Sequence, residues 1–84
     1  MNETMKLNIG LVGTLKKYAG PGVKPEGFII EAPDDAMVGD VVRMLGIPEK
    51  ELFAFTLNSE RLEKNDRPVR EGDKLTLYSL IAGG

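Results

Sequence analysis

One segment of the chain has helical periodicity, while the apolar segments around it alternate like strands. In residues 34–48, four apolar side chains follow the i, i+3, i+4, i+7 spacing of an amphipathic helix: Val38, Val41, Val42 and Leu45. A single helix in a chain of 84 residues can cover only one face of one sheet. The sequence therefore predicts one two-layer α+β domain over residues 1–84.

The alternating segments predict strands that bury one side. They are residues 5–13, 28–32, 52–58 and 74–81, with a short edge strand around Arg61-Leu62. In residues 52–58, Phe53, Phe55 and Leu57 share one face, so both phenylalanines are expected in the core. The predicted order is β-β-α-β-(β)-β, and residues 1–4 and 82–84 are predicted to be a flexible leader and tail.

The start of the predicted helix lacks an ordinary capping side chain. Met37 stands at the expected N-cap, so Asp34 or Asp35 is predicted to cap the helix one turn earlier. Gly39 lies in the first turn, where it costs about 1 kcal/mol of helix stability relative to alanine. The sequence offers no local reason for that glycine. Gly46 is expected to be the C′ residue, which ends the helix.

Composition excludes several classes of function. The chain has neither cysteine nor histidine, which removes thiolate metal centres, iron–sulfur clusters and the commonest general base. The net charge is −2 and no basic stripe is present, so a nucleic acid is not expected as a partner. No apolar run is long enough for a membrane span and no signal peptide is visible, so a soluble cytoplasmic protein without bound metal is expected.

The last predicted strand carries apolar side chains on both faces. If Leu75 and Leu77 face the helix, then Thr76, Tyr78 and Leu80 face the other way. Exposed contiguous apolar surface often marks a partner site. The alternatives are that a loop covers this face or that the alternation slips near Ser79.

The sequence then ends on Ala82, Gly83 and Gly84. Side chains this small suit an extended segment that enters a narrow channel, and a terminal glycine presents an unhindered carboxylate. A carboxylate must be activated before it reacts, typically by adenylation with ATP. The chain has no phosphate-binding loop, so the activating enzyme would be a different protein. The alternative is that these glycines are a frayed end without function.

The strand order, the segment VREGDKLTLYSLIAGG (69–84) and the final Gly-Gly together resemble the MoaD/ThiS family of ubiquitin-like sulfur carriers. The resemblance extends from about Met5 to the last residue. LKKYAG (15–20) is similar to the molybdopterin synthase small-subunit branch, and MVGDVVRMLGIP (37–48) is similar to the helix region of both branches.

The resemblance implies a β-grasp fold, in which a mixed sheet of four or five strands packs on one main helix. It also implies that the chain is a protein cosubstrate and not an enzyme. An E1-like adenylating enzyme uses ATP to activate the terminal glycine, and a sulfur donor system converts the product to a thiocarboxylate. By position, Gly84 carries the reactive group, while Ala82 and Gly83 lie in the partner's channel.

The resemblance further implies that Tyr78, Leu80 and Ile81 contact the enzyme that receives the sulfur. That enzyme is either the molybdopterin synthase large subunit, which is slightly favoured, or thiazole synthase. The molybdopterin branch usually has Phe-Pro-Pro-Val where this chain has Tyr78-Ser79-Leu80-Ile81, which is closer to the thiamine branch. Two alternatives stay open: a modifier conjugated to other proteins through Gly84, and a β-grasp interaction module with an inert tail.

Overall fold

The computed structural model describes residues 3–79 of the chain. Five strands and one α-helix follow one another as β1 (Thr4–Val12), β2 (Phe28–Pro33), α1 (Val38–Met44), β3 (Leu52–Leu57), β4 (Glu60–Arg61) and β5 (Lys74–Ser79). A short 3₁₀ helix, Gly13–Ala19, follows β1, and a second one, Glu49–Glu51, precedes β3. The predicted order of elements is confirmed. No helix within these residues is long and apolar enough to span a membrane.

The strands form one mixed sheet in the order β2-β1-β5-β3-β4. The central strands β1 and β5 are parallel, with Asn8 opposite Lys74, and every other neighbouring pair is antiparallel. The helix follows the β1–β2 pair and lies over the sheet with its valines in the core. This is the β-grasp arrangement, so the predicted fold class is confirmed.

The core lies between the helix and one face of the central strands. The alternating leucines and isoleucine of β1 and the two leucines of β5 are fully buried, as the sequence predicts: Leu7, Ile9, Leu11, Leu75 and Leu77. Val38 and Val41 of α1 are fully buried as well, and Val42 is nearly so. The predicted apolar stripe of the helix therefore faces the sheet, while Leu45 packs against the edge of the core.

The helix is shorter than predicted, and its start is held by two backbone carbonyl groups and by the Asp40 carboxylate. The N–H groups of Val38 and Gly39 donate to the carbonyl oxygens of Arg67 and Asn65, at 3.0 and 2.9 Å. The Asp40 carboxylate accepts the N–H of Met37 at 2.9 Å. These bonds satisfy donors that a helix start leaves unpaired, so the first turn begins at Val38.

The predicted caps are therefore wrong, because Asp34 and Asp35 lie in an exposed turn before the helix. The contact between Asn65 and the first turn of the helix explains why residue 39 is a glycine. A Cβ atom on this residue would lie 3.0 Å from Asn65 Nδ2, so glycine lets the segment around Asn65 approach the first turn. Gly46 has the positive φ of 76° expected of a residue that ends a helix.

The prediction that Phe53 lies in the core is wrong, because its side chain is 60% exposed. Strand β3 is irregular here: Leu52 lies opposite Ser79, but Ala54 lies opposite Tyr78. Two steps on β3 thus match one step on β5, and Phe53 is the extra residue of a β-bulge. Phe55 keeps the predicted side and packs against the core.

Candidate functional site

The predicted site residues fall at the end of β5 and beyond it. Tyr78 is the only one among the described residues, and Leu80, Ile81, Ala82, Gly83 and Gly84 lie outside them. Tyr78 lies opposite Ala54 of β3 and Val12 of β1. It is half-buried and faces away from the helix, which confirms the orientation predicted from the alternation.

The last described residue of β5, Ser79, is held by the segment that follows β1. Its side chain is buried, with 3% exposure, and its hydroxyl oxygen accepts the N–H of Thr14 at 3.0 Å. Gly13 passes so close that an added Cβ would lie 2.1 Å from Ser79 Oγ, and its φ is +70°. The end of β5 at Ser79 is therefore held in place by the segment that follows β1.

This junction was not identified from the sequence. The sequence indicates it only through Gly13, because a glycine directly after a strand is common where another segment comes close to the backbone. The sequence contains no indication that the atom approaching it is a serine hydroxyl from the far end of the chain.

The outer face around this point carries a small apolar patch, which we call the β5-end patch. Its members are Val12, Ala54 and Tyr78, which lie side by side on three neighbouring strands, and the bulged residue Phe53. Phe53 is strongly exposed, whereas the other three are half-buried. Phe53 directly precedes Ala54 in β3, so the bulge adds an exposed phenylalanine next to the rest of this patch along the chain.

A polar network joins the two 3₁₀ helices that flank the end of β5. The hydroxyl of Tyr18 donates to Glu51 Oε2 at 2.8 Å, and Lys17 Nζ lies 3.3 Å from Glu51 Oε1. The hydrogen bond from Tyr18 lowers the pKa of the Glu51 carboxyl, with a further contribution from Lys17. The same bond, together with partial burial, raises the pKa of Tyr18.

Tyr18 and Glu51, whose pKa values are shifted, partner each other. Within residues 3–79, no three acidic side chains are grouped so that they could hold a metal ion. What the described part of the site provides is an apolar patch beside a strand end that is anchored at Ser79.

No family model matches the chain, and no curated protein matches it by sequence. Solved structures do resemble it. The HVO 2177 protein of Haloferax volcanii is 23% identical with a TM-score of 0.74, and the match covers 96% of this chain and 88% of that one. SAMP1 from Haloferax volcanii is 22% identical with a TM-score of 0.69, covering 94% and 99%.

A chain in the complex of subunits 1 and 2 of molybdopterin-converting factor from Helicobacter pylori is also similar. It is 24% identical with a TM-score of 0.60, and the match covers 95% of this chain and all of that one. At such identities these likenesses show the fold, which is ubiquitin-like. Two of these structural neighbours, SAMP1 and the chain of molybdopterin-converting factor, agree with the resemblance found in the sequence.

Proposed function

We propose that the chain is a ubiquitin-like sulfur carrier that acts through the carboxyl group of Gly84. In this proposal it is a cosubstrate and catalyses no step itself. Its partners are an E1-like adenylating enzyme, a sulfur donor and an acceptor enzyme. ATP binds to the adenylating enzyme and not to this chain.

The chemistry consists of two substitutions. First, a carboxylate oxygen of Gly84 attacks the α-phosphorus of ATP, which displaces pyrophosphate and leaves an acyl-adenylate. Hydrosulfide released by the sulfur donor then attacks the carbonyl carbon. AMP leaves with its electron pair, and a thiocarboxylate remains on Gly84.

The observation that carries the proposal is the position of the Gly83-Gly84 segment in a fold shared with a chain of molybdopterin-converting factor. Residues 80–84 follow directly after a central strand whose last described residue, Ser79, is anchored by Thr14. The β5-end patch lies beside that point and offers an apolar surface for an acceptor. We therefore propose that Tyr78, Leu80 and Ile81 contact the acceptor, while Ala82 and Gly83 occupy its channel.

We propose molybdopterin synthesis as the pathway that receives the sulfur, because one of the similar solved structures is a chain of a molybdopterin-converting factor complex. The alternative acceptor is a thiazole synthase of the thiamine pathway, to which the segment Tyr78-Ser79-Leu80-Ile81 is closer. A pull-down with the full chain distinguishes them, since it should recover the molybdopterin synthase large subunit and not the thiazole synthase.

The direct test is an intact-mass measurement. The full chain is incubated with ATP, magnesium, sodium sulfide and the E1-like enzyme of the same organism. We expect the mass to rise by the difference between one sulfur and one oxygen atom. A chain that lacks Gly84 should show no such rise.

The control for this test is the fold of the shortened chain. All of the buried core residues described lie between Met5 and Leu77, so removing Gly84 should leave the unfolding transition unchanged. If the full chain gains no mass in the presence of an enzyme that adenylates a known carrier, the proposal is wrong.

A second function, conjugation to other proteins, is favoured by the likeness to a structure described as small archaeal modifier protein 1. It uses the same activated glycine, so the mass test does not exclude it. Peptides from digested cells that carry a Gly-Gly branch on lysine, and that vanish when Gly84 is removed, would support conjugation.

A further inference from the structure

The two edges of the sheet differ in how much backbone they leave open. At one edge, β4 has only two residues, Glu60 and Arg61, and both are charged. At the other edge, β2 has six residues and only one charge. No strand within residues 3–79 pairs with the outer side of β2. Natural proteins usually protect a long edge strand with lysine, proline, a bulge or a covering loop, and β2 has such a residue only at its last position, Pro33.

The register shows which backbone groups of β2 are open. The N–H of Asp34 donates to the carbonyl of Glu3, and hydrogen-bonded pairs alternate along an antiparallel ladder. Ile29 and Glu31 are therefore in non-hydrogen-bonded pairs with Asn8 and Lys6. Their N–H and C=O groups point away from β1, toward the free edge.

The neighbouring strand gives independent support for this assignment. If Lys6 and Asn8 do not bond to β2, their backbone groups must turn to the other side of β1. Asn8 N–H donates to Asp73 O, and Lys6 O accepts the N–H of Gly72, both at 2.8 Å. The alternation is therefore consistent across β1, and Ile29 and Glu31 present two backbone donors and two backbone acceptors that have no partner within residues 3–79.

The side chains at this edge combine apolar surface with negative charge. Ile29 is 64% exposed, and Phe28 and Ile30 are half-buried on either side of it. Residues 25–36 contain four acidic residues and no basic residue: Glu26, Glu31, Asp34 and Asp35. Lys6 lies opposite Glu31 on β1, but the structure describes no ion pair between them.

A cleft of about 470 Å³ continues from the end of β2. It is lined by Pro33, Ala36 and Met44 together with Asp35 and the ion pair of Asp40 with Arg43. The Met44 side chain is 50% exposed. A chain that ran along β2 and past Glu31 would thus meet a second apolar surface beside an acidic residue.

We propose that β2 is a docking edge for an extended segment of a partner protein, apolar at its centre and flanked by lysine or arginine. The segment adds to the sheet as a further strand by pairing with Ile29 and Glu31. A second copy of this chain is a poorer occupant, because antiparallel pairing would bring two sets of the same four acids together. This edge is separated from β5 by β1, so the proposal does not depend on the function of Gly84.

The test uses a short synthetic peptide of alternating valine and threonine with two lysines at each end. It is titrated into the isotope-labelled full chain and followed by NMR. We expect the amide signals of Ile29 and Glu31 to shift most and their hydrogen exchange to slow. The variant Ile29→Pro, which removes one open N–H, should weaken binding about tenfold or more, whereas Ile29→Thr should weaken it less.

Proline is tolerated in an edge strand where its missing N–H faces outward, so Ile29→Pro should keep the native spectrum elsewhere. A peptide with N-methyl groups on alternate amides provides a test that needs no variant, and it should not bind. A peptide flanked by glutamates should bind at least about tenfold more weakly at low salt.

Four outcomes would overturn the proposal. They are equal binding of the lysine- and glutamate-flanked peptides, signal changes centred away from β2, full binding by the N-methylated peptide, and no signal change at millimolar peptide. Protection of Ile29 and Glu31 that grows with protein concentration in the absence of peptide would instead assign the edge to a second copy of the chain.

Discussion

Two glycines in this fold allow a close approach between distant segments, but they do so in different ways. At the end of the central strands, Gly13 has a φ of +70° and lies against the Ser79 hydroxyl, where an added Cβ atom would be 2.1 Å from the oxygen. At the start of the helix, Gly39 has ordinary helical geometry, and the corresponding distance to Asn65 Nδ2 is 3.0 Å. Gly13 is required by both its conformation and the lack of space, whereas at Gly39 only the space beside Asn65 favours glycine.

The two junctions should respond differently to a substitution. Ser79 is buried and cannot move away without breaking its bond to Thr14. The atom nearest to Gly39 is the end of an amide side chain, which can rotate. The first junction should therefore be rigid, and the second should adapt.

The largest effect is expected for Gly13→Ala. A left-handed φ costs a non-glycine residue about 1–2 kcal/mol, and the forced displacement of Ser79 adds a comparable overpacking cost. We expect the free energy of unfolding to fall by about 3 kcal/mol, measured by urea denaturation. Gly22→Ala is the matched control, because Gly22 has a φ of +76° but no atom within 4 Å of the added Cβ. Equal losses in the two variants would show that the junction is not tight.

An intermediate effect is expected for Ser79→Ala. This change leaves the N–H of Thr14 without its acceptor and should cost about 1–2 kcal/mol. It also removes the oxygen that an alanine at position 13 would meet. Gly13→Ala should therefore cost less in the Ser79→Ala background than in the native chain, as a double-mutant cycle measures. Strict additivity would contradict the contact.

The smallest effect is expected for Gly39→Ala. Alanine gains about 1 kcal/mol of helix propensity, and the displacement of the Asn65 amide offsets part of this gain. We expect a change in the free energy of unfolding within about 1 kcal/mol of zero. In an Asn65→Ala background, where the amide is absent, the same substitution should be stabilising. A large loss of stability in both backgrounds would show that the backbone at Asn65 cannot move away from the added Cβ atom.

The sequence predicts the overall fold because its signals are local. The spacing of Val38, Val41 and Val42 distinguishes the helix, and the alternation in β1 and β5 assigns the correct residues to the core. Both depend only on neighbouring positions. The alternation assigns Phe53 wrongly because a bulge is decided by the register between β3 and β5, which no single segment contains.

The candidate site is predictable only in part for the same reason. The outward orientation of Tyr78 follows from alternation within one strand and is confirmed. The contact of Ser79 with Gly13 and Thr14 joins residues from opposite ends of the chain. Likewise, the role of Gly39 depends on Asn65, which belongs to a loop without a recognisable pattern. The roles of Leu80, Ile81, Ala82, Gly83 and Gly84 stay predictions.

The parallel pairing of β1 with β5 has a consequence for how the domain folds. These strands are neighbours in the sheet, but almost the whole chain separates them in sequence. Until they meet, the antiparallel pairs β1–β2 and β3–β5 are two halves with unpaired edges. Closing so long a loop is slow, and exposed apolar edges associate readily while it happens. We therefore expect the chain to be most prone to aggregate during folding, before β1 and β5 have paired.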